Sequence, residues 1–280
     1  MLRVAFLGPK GSFSEEAAVK AFCAKEVEFY PKSSIDEVFW TVESNETDYG
    51  IVPVENSIEG GVHETLDLLA KTTLRVQCEI QVKIGLHLVA HSETSLSNIK
   101  LIVSHPHALA QARRFLSRLK GVRVEFCSST AEAARRASAS REIAALASKL
   151  AATVYGLKVL VENVQDYEQN ITRFFVLGRT SVPTGALRLK VSGYRTSIVM
   201  LLPHRPGALY RALEPFARRE INLTRIESRP VQSKPWEYLF HLDFEGSIED
   251  ENCREAVEEL ERRALAVKVL GSYPVLLALE

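Results

Sequence analysis

The sequence has few cysteines and no excess of either charge. Its 280 residues include four cysteines, and no two of them form a C-x-x-C pair, which argues against a zinc site or a redox motif. Lysine plus arginine and aspartate plus glutamate number 35 each, so no net field draws the chain towards nucleic acid or an anionic membrane. We therefore expect neither nucleic acid nor a membrane as a partner.

Long apolar runs are also missing. The first apolar run, residues 4–7, stops at Gly8-Pro9 and is too short for the core of a signal peptide. No stretch approaches the ~18 apolar residues that a membrane span needs, so we expect a cytoplasmic protein. The composition, 46% hydrophobic and 25% charged, is that of a globular chain. Its length exceeds what one core usually holds, which predicts two domains.

The first half of the chain alternates short β-type runs with helix-type segments. Its strand-like runs are residues 4–7, 27–30 and 50–54. Ser12 with Glu15, and Ser34 with Glu37, have the capping-box spacing that opens a helix after each of the first two runs. Such alternation predicts a mostly parallel α/β sheet, whose ligands bind at the carboxyl ends of the strands.

The middle of the chain predicts crossing strands. Apolar and polar residues alternate from Val76 to Val82, and residues 84–90 form another strand-like run. Strand-to-helix junctions then resume at residues 101–106 and 122–130. This order predicts two α/β lobes that are joined by crossing strands and separated by a cleft.

The C-terminal part has a pattern of its own. Residues 182–193 hold one proline and two glycines and predict a linker, so we place a first domain at 1–182 and a second at 194–280. The sequence pattern predicts the order β-α-β-β-α-β for the second domain, with Ser247 as the cap of the second helix. This order predicts a ferredoxin-like sheet with helices on one face. The uncovered face predicts dimerisation.

Polar clusters stand where several predicted strands end. The loop Gly8-Pro9-Lys10-Gly11-Ser12 precedes a helix, where free backbone amides suit an anion, although a plain tight turn is equally compatible. Two further clusters, one beginning at Glu55 and one beginning at Ser128, suit either a ligand or a helix cap. The candidate cleft residues of these three segments are Ser12, Glu55, Asn56, Ser128, Ser129 and Thr130.

A further helix start follows the strand-like residues 101–103. Ser104 and Gln111 bracket it, and both are candidates for the cleft. His105 and His107 lie two residues apart, but no third ligand follows at a typical spacing. We therefore expect no metal.

The run from Asn170 to Leu177 is the most distinctive of the chain. Its apolar end suits a buried strand, but arginine seldom enters a core unpaired. Arg173 could hold a ligand carboxylate with two hydrogen bonds, or it could pair with a local acid. Asn170, Thr172 and Phe174 are candidate ligand contacts at the same strand entrance.

Taken in order, these runs resemble the prephenate dehydratase family. The matching segments are Gly8–Ser14, Pro53–Ser57, Ser104–His107, Ser128–Ala133 and Asn170–Phe174. In the second domain, His204–Leu209 and Glu227–Pro230 match the two motifs of an ACT module. Each motif is weak alone, but the ordered set is specific and covers nearly the whole chain. Because the motifs include none of a chorismate mutase segment, we expect the monofunctional form.

The resemblance implies a two-lobed catalytic domain, like a periplasmic-binding-protein fold, followed by a ferredoxin-like ACT domain. It implies that prephenate loses water and CO2 to give phenylpyruvate without a metal or an organic cofactor. It gives Thr172 the main catalytic role, on the departing ring hydroxyl, and associates four residues with the same site: Glu55, Asn56, Ser104 and Gln111. We expect Thr172 to orient and polarise that hydroxyl, with a proton from Glu55 or from water.

The ACT resemblance implies L-phenylalanine as an allosteric inhibitor. The residues expected to bind it are Pro206, Gly207, Ala208, Leu209, Glu227 and Ser228. We expect dimers that pair through the ACT domains, and a dimer of dimers. The motifs leave two alternatives open, which are arogenate as the substrate and a non-catalytic binding protein with the same cleft.

Overall fold

The computed structural model describes residues 1–22, 27–183, 185–187, 190–231 and 236–278. Cys23, Thr184 of the predicted linker and the last two residues of the second domain lie outside these ranges. Across the described part of the chain, no helix combines the length and the apolar character needed to span a membrane.

The described residues form strands and helices in alternation. The strands are β1 (Leu2–Leu7), β2 (Val27–Lys32), β3 (Tyr49–Asn56), β4 (Gly60–Gly61), β5 (Arg75–Lys83), β6 (His87–His91), β7 (Leu101–Ser104), β8 (Arg123–Phe126), β9 (Ile143–Ala147), β10 (Leu157–Val161), β11 (Ile171–Gly178), β12 (Val191–Leu201), β13 (Leu223–Pro230), β14 (Tyr238–Glu245) and β15 (Ala266–Ala278). The helices are α1 (Phe13–Ala21), α2 (Ile35–Glu43), α3 (His63–Lys71), α4 (Pro106–Ala110), α5 (Arg113–Leu116), α6 (Thr130–Ser138), α7 (Lys149–Val154), α8 (Ala208–Arg218) and α9 (Glu251–Glu261).

The first domain consists of two lobes, each with its own sheet. In the first lobe, β1 runs parallel to β2 and β3, and β11 lies antiparallel between β3 and β5. The second lobe has the strand order β10-β6-β9-β7-β8. The chain enters the second lobe after β5 and returns to the first with β11, so two crossing segments join the lobes. The predicted two-lobed α/β fold is confirmed.

Serine caps open the helices at the predicted places in the first domain. The hydroxyl oxygens of Ser12, Ser34 and Ser129 each accept the backbone N–H three residues further on, which satisfies a donor that the helix itself leaves unpaired. The predicted cap of α9 is wrong. Asp250 occupies the cap position, and the N–H of Ser247 donates to its carboxylate at 3.1 Å.

The crossing between the lobes also shifts one predicted strand. The run predicted for residues 84–90 becomes β6 only from His87, because residues 84–86 span the two lobes. The N–H of Ile84 donates to the carbonyl of Asn170 at 2.7 Å, and that of Leu86 donates to Oε1 of Gln165 at 3.0 Å. These contacts replace a strand ladder at the crossing.

The second domain has the predicted ferredoxin-like order. Its strands lie as β13-β14-β12-β15, and α8 and α9 cover one face through a shared apolar core. The prediction of an uncovered opposite face is wrong. Strand β15 pairs in parallel with β5, which merges the two domains into one sheet, and Tyr273 packs on Phe175 with ring centroids 5.3 Å apart. Strand β12 also begins at Val191, inside the predicted linker.

Buried charges join the two domains, and Asp243 of β14 is at their centre. Its carboxylate accepts hydrogen bonds from Nε of Arg225 (2.9 Å), Nη2 of Arg173 (2.8 Å) and Oγ of Ser197 (2.6 Å). Burial opposes the charge of Asp243, but Arg225 and Arg173 outweigh it and hold the pKa of this carboxyl well below its usual range. The ionised carboxylate therefore ties β14 to β11 of the first domain.

Glu79 of β5 is the second fully buried anion at this junction. It accepts hydrogen bonds from Arg173 Nη2 at 2.8 Å and from Arg195 Nη1 at 2.6 Å. Nη1 of Arg173 also donates to Glu55 of β3 at 2.6 Å. Desolvating such groups is costly, so each charge needs a partner of opposite sign. We call these side chains the ion cluster: Glu55, Glu79, Arg173, Arg195, Arg225 and Asp243.

Replacing Asp243 with alanine should destabilise the fold, because two buried guanidinium groups lose a shared anion. We expect the free energy of unfolding at neutral pH to fall by about 3–5 kcal/mol, measured by urea denaturation. Because the pKa of Asp243 is lowered in the folded state, its contribution is complete above the unfolded pKa of about 3.9 and is lost as the pH falls further. The free energies of unfolding of the wild type and of Asp243→Ala should therefore become more similar as the pH falls below about 3.9.

Glu162→Ala is the matched control for this experiment. It breaks an exposed ion pair with Lys149, in which Nζ and Oε2 lie 2.9 Å apart, and it should change stability little. An Asp243→Ala protein as stable as this control would contradict the stabilising role of the ion cluster.

Candidate active site

A cleft between the two lobes encloses a cavity of about 450 Å³. Strand ends of the first lobe and helix starts from both lobes form its wall. The predicted residues that line it are Ser12, Asn56, Gln111, Ser128, Ser129, Thr130, Asn170, Thr172 and Phe174. Segments that are far apart in the sequence thus bring their polar side chains to one cavity.

Three of the predicted cleft residues lie elsewhere: Glu55, Ser104 and Arg173. Successive residues of a strand point to opposite faces, so Thr172 faces the cavity while Arg173 points behind β11 and pairs with Glu55 at 2.6 Å. The structure therefore supports an ion pair for Arg173, not a contact with a ligand carboxylate. Ser104 is fully buried, and its hydroxyl donates to the carbonyl of Leu146 at 2.7 Å.

The side-chain amide of Asn56 has a fixed orientation. Its Oδ1 accepts the backbone N–H groups of Ile58 (3.0 Å) and Glu59 (3.1 Å). Its Nδ2 must therefore point the other way, where it donates to Oδ1 of Asn170 at 2.6 Å and to Oγ1 of Thr172 at 2.9 Å. The backbone N–H groups of Ile58 and Glu59 thus ensure that Asn56 presents its NH2 group to Thr172.

The hydroxyl of Thr172 is left with a proton to donate. Its oxygen accepts from Asn56, and the described residues provide no hydrogen-bond acceptor for its O–H. A hydroxyl has one donor and two acceptor positions, so the O–H of Thr172 is available to a ligand in the cavity. Asn56 also makes Thr172 a better donor, because successive hydrogen bonds polarise one another.

The cavity offers amides and hydroxyls to an anion. Neither lysine nor arginine occurs among the described residues of its wall. Helices α1 and α6 begin there, capped by Ser12 and Ser129, and their first N–H groups favour a negative charge. His105 also lines the cavity, and burial followed by the charge of His107 lowers its pKa. Within the described ranges, no three His, Cys, Asp or Glu side chains are grouped to hold a metal ion.

Glu59 also lines the cavity, although it belongs to none of the polar clusters that the sequence indicates. Its Oε1 accepts a hydrogen bond from Nε2 of Gln111 at 3.1 Å, and its Oε2 lies 3.6 Å from Nδ1 of His107. Glu59 stands three residues after Asn56, at the spacing where an asparagine side chain accepts a backbone N–H. That spacing is the one feature of the sequence that could have indicated its position.

A smaller cavity of about 160 Å³ lies in the second domain. Ala208 and Leu209, at the start of α8, line it together with Phe240 of β14. Gly207 caps α8 with φ +76°, a left-handed conformation that glycine adopts without strain. Pro206 precedes this cap, so four of the residues predicted for the ACT site lie at or next to the cavity.

Glu227 and Ser228 of β13 do not line this second cavity. Ser228 lies opposite Phe240 in the strand ladder. The Oε1 of Glu227 lies 3.1 Å from Nε2 of His63, and its Oε2 occupies the space where a side chain at Gly61 would begin. Because Gly61 lines the cleft, the second domain touches the rim of the first domain's cavity.

The fold and the cleft define a two-lobed α/β protein with a polar cavity between its lobes, joined to a ferredoxin-like domain. Residues 4–182 match the family model described as prephenate dehydratase, and residues 196–262 match that of the ACT domain. The chain therefore belongs to the prephenate dehydratase family, a family of lyases, and carries an ACT domain.

Individual relatives agree with this assignment. A bifunctional chorismate mutase/prephenate dehydratase of Aquifex aeolicus is 42% identical over 98% of this chain and 74% of its own length. The arogenate dehydratase/prephenate dehydratase 2 of Arabidopsis thaliana is 39% identical over 98% of this chain and 73% of its own. The crystal structure of Arthrobacter aurescens prephenate dehydratase in complex with L-Phe has a TM-score of 0.86 and 36% identity, covering 97% of this chain and 90% of that one.

Arg173→Lys tests whether this side chain binds the substrate or holds the fold. An ammonium group cannot reproduce the planar fork with which Arg173 reaches three carboxylates. We expect the unfolding temperature to drop by several degrees, while the KM for prephenate stays close to that of the wild type. A raised KM with unchanged stability would instead place Arg173 at the substrate.

Proposed function

We propose that this chain converts prephenate into phenylpyruvate, water and CO2. The observation that carries the proposal is the Thr172 hydroxyl, whose oxygen accepts from Asn56 and whose proton is free for a ligand in the cleft. Family membership supports the same reaction. The cavity suits an anionic substrate, because two helices begin at its wall and direct N–H groups towards it.

Two bonds to the ring break in this reaction, and the enzyme can assist at each of them. The bond between the ring and its carboxylate breaks, and its electron pair forms the last double bond of the aromatic ring. The bond to the ring hydroxyl breaks at the same time, and hydroxide is a poor leaving group unless it receives a proton or a strong hydrogen bond. A donor aimed at this oxygen stabilises the charge that develops in the transition state.

Thr172 is the donor that we assign to the leaving oxygen. A threonine hydroxyl is a weak acid, so it orients and polarises the leaving group while the proton itself comes from water. Glu55 was the other expected source, but its carboxylate pairs with Arg173 on the far side of β11. Glu55 therefore acts on the reaction only through the position of the strand.

The apolar part of the wall suits the departing carboxylate. Phe13, Ile84, Leu86 and Phe174 line the same cavity as Thr172. A carboxylate that is poorly solvated against such side chains gains from its conversion into neutral CO2. The polar contacts at the helix starts would then hold the side-chain carboxylate, which does not react.

Arogenate is the second candidate substrate. It carries an amine where prephenate has a carbonyl, and Glu59 gives the wall a carboxylate that could accept from that amine. Relatives named for arogenate dehydratase support this candidate. Assays of the intact protein with prephenate, for phenylpyruvate, and with arogenate, for phenylalanine, measure the preference directly.

Thr172→Ala tests the proposed mechanism. Because the hydrogen bond to the leaving oxygen forms mainly in the transition state, we expect kcat for prephenate to fall by roughly 10²-fold or more with little change in KM. Thr172→Ser keeps the hydroxyl and should retain much more activity. Near-normal turnover by a folded Thr172→Ala protein would remove Thr172 from the mechanism, and a wild type that turns over neither substrate would favour a non-catalytic binding protein.

We further propose that L-phenylalanine binds the second domain and inhibits the dehydratase. The solved relative from Arthrobacter aurescens is named as a complex with L-Phe, and the cavity beside Gly207 lies within the residues that match the ACT domain model. Besides the contact of Glu227, Arg229 pairs with Asp67 of α3 through Nε (2.9 Å) and Nη2 (2.8 Å). Inhibition requires phenylalanine to bind more tightly to an arrangement of these contacts in which the dehydratase is less active. Equal affinity for the active and the less active arrangement would leave their populations unchanged.

The assembly that we propose is a cytoplasmic dimer, paired through the ACT domains, and a dimer of dimers. The first domain covers the sheet face that could have paired two copies, but a sheet edge remains. Strand β13 is the last strand of its sheet, so its outer N–H and C=O groups can pair with a second copy. Glu227 and Ser228 lie on this strand, next to where a partner would sit.

Gly207→Val should give an active enzyme that ignores phenylalanine. Valine at positive φ is strained, and its side chain would meet the guanidinium of Arg211 at the start of α8. Gly121→Val is the matched control, because Gly121 also has positive φ (+75°) but meets no atom within 4 Å. Initial rates measured against phenylalanine concentration should stay flat for Gly207→Val alone, and a wild type that phenylalanine does not inhibit would contradict the regulatory proposal.

A further inference from the structure

Four residues of the cleft form a closed ring of hydrogen bonds, which we call the amide ring: Asn56, Glu59, Gln111 and Asn170. The backbone N–H of Glu59 donates to Oδ1 of Asn56 at 3.1 Å, and Nδ2 of Asn56 donates to Oδ1 of Asn170 at 2.6 Å. Nδ2 of Asn170 donates to Oε1 of Gln111 at 2.7 Å, and Nε2 of Gln111 donates to Oε1 of Glu59 at 3.1 Å. The three side-chain amides donate one to the next and finally to the carboxylate, so these bonds strengthen one another.

The carboxylate of Glu59 fixes one end of this ring. A primary amide can turn over and exchange its donor for its acceptor, whereas an ionised carboxylate only accepts. Glu59 therefore makes Gln111 present its NH2 group, which leaves Oε1 of Gln111 to accept from Asn170. At the other end, two backbone N–H groups fix Asn56. Between these ends the remaining amides have one orientation that satisfies every bond.

The amide ring also bridges the cleft. Gln111 follows α4 of the second lobe, while the other three members belong to the first lobe or to its entrance. The hydrogen bonds from Asn170 and to Glu59 are therefore contacts between lobes. Because the second N–H of Asn56 donates to Thr172, the spacing of the lobes and the reacting hydroxyl share one network.

We infer that Glu59 is a positioning residue of the dehydration. Its carboxylate holds the side chain of Gln111 from the second lobe, and so fixes the lobe spacing at the network that contains the hydrogen bond between Asn56 and Thr172. The inference rests on the proposed function and adds to it a residue that acts through others. A different role, in which Glu59 itself gives a proton to the leaving hydroxyl, makes a distinguishable prediction.

Glu59→Ala and Glu59→Gln separate the two roles. Alanine removes the acceptor for Gln111, so kcat for prephenate should fall roughly tenfold or more, with a smaller change in KM. Glutamine keeps an acceptor oxygen at the same reach and should restore most of kcat. If glutamine is as inactive as alanine, Glu59 acts as a proton donor and the positioning role is overturned.

Glu64→Ala is the matched control for these variants. Glu64 lies in the first turn of α3, five residues further on, is exposed and does not line the cleft. Its loss should leave kcat and KM unchanged. A fall in kcat equal to that of Glu59→Ala would show that any lost carboxylate in this segment has the same effect, and would overturn the inference.

A second readout does not depend on turnover. In the full-length protein without substrate, Glu59→Ala should move the side-chain NH2 resonances of Gln111 and Asn170, because their donor positions lose a fixed acceptor, while Glu64→Ala should not. Unmoved resonances would overturn the amide ring. If the wild type fails to convert prephenate while these resonances move, the proposed function fails and the positioning of Gln111 by Glu59 stands.

Discussion

The guanidinium group of Arg173 is shared by three carboxylates from three different strands, and the arrangement of both domains depends on it. Glu55 of β3, Glu79 of β5 and Asp243 of β14 all accept from it within 2.8 Å. A buried cation is tolerated only where such partners are complete. Strands from the first lobe and from the ACT domain must therefore assemble around one side chain, which explains why one sheet runs through both domains.

Strand β11, which contains Arg173, presents different side chains on its two faces. Thr172 and Arg173 are neighbours in β11, and the alternation of a strand sends one to the cleft and the other to the ion cluster. The opposite residues of β3 repeat this division, because Asn56 pairs with Thr172 and Glu55 with Arg173 in the ladder. A shift of β14 or β5 would reach the Thr172 hydroxyl through one peptide unit, so we infer that the ion cluster connects the ACT domain to the cleft.

Local patterns in the sequence predicted the elements and most of the cleft. Capping boxes at Ser12 and Ser34 and polar runs at strand ends carry their information within a few residues, and the structure brings these runs together as the parallel sheet rule implies. The partners of Arg173 could not be found in this way, since Glu79 and Asp243 lie 94 and 70 residues from it in the chain. The local sequence is compatible with two partners for Arg173, a ligand carboxylate or an acidic side chain, and only tertiary contacts distinguish them. The covered face of the ACT sheet escaped prediction for the same reason, because the side chains that pack on it, such as Phe175 on Tyr273, belong to the other domain.

The central claim is that Arg173 serves the reaction by holding Thr172 in place from behind. A double-mutant cycle on kcat for prephenate, with Arg173→Lys and Thr172→Ala alone and combined in proteins shown to be folded, tests it most directly. If Arg173 acts only through Thr172, its substitution lowers kcat in the wild type and has no further effect once Thr172 is alanine. Equal losses in both backgrounds would contradict the account and give Arg173 a role of its own at the substrate.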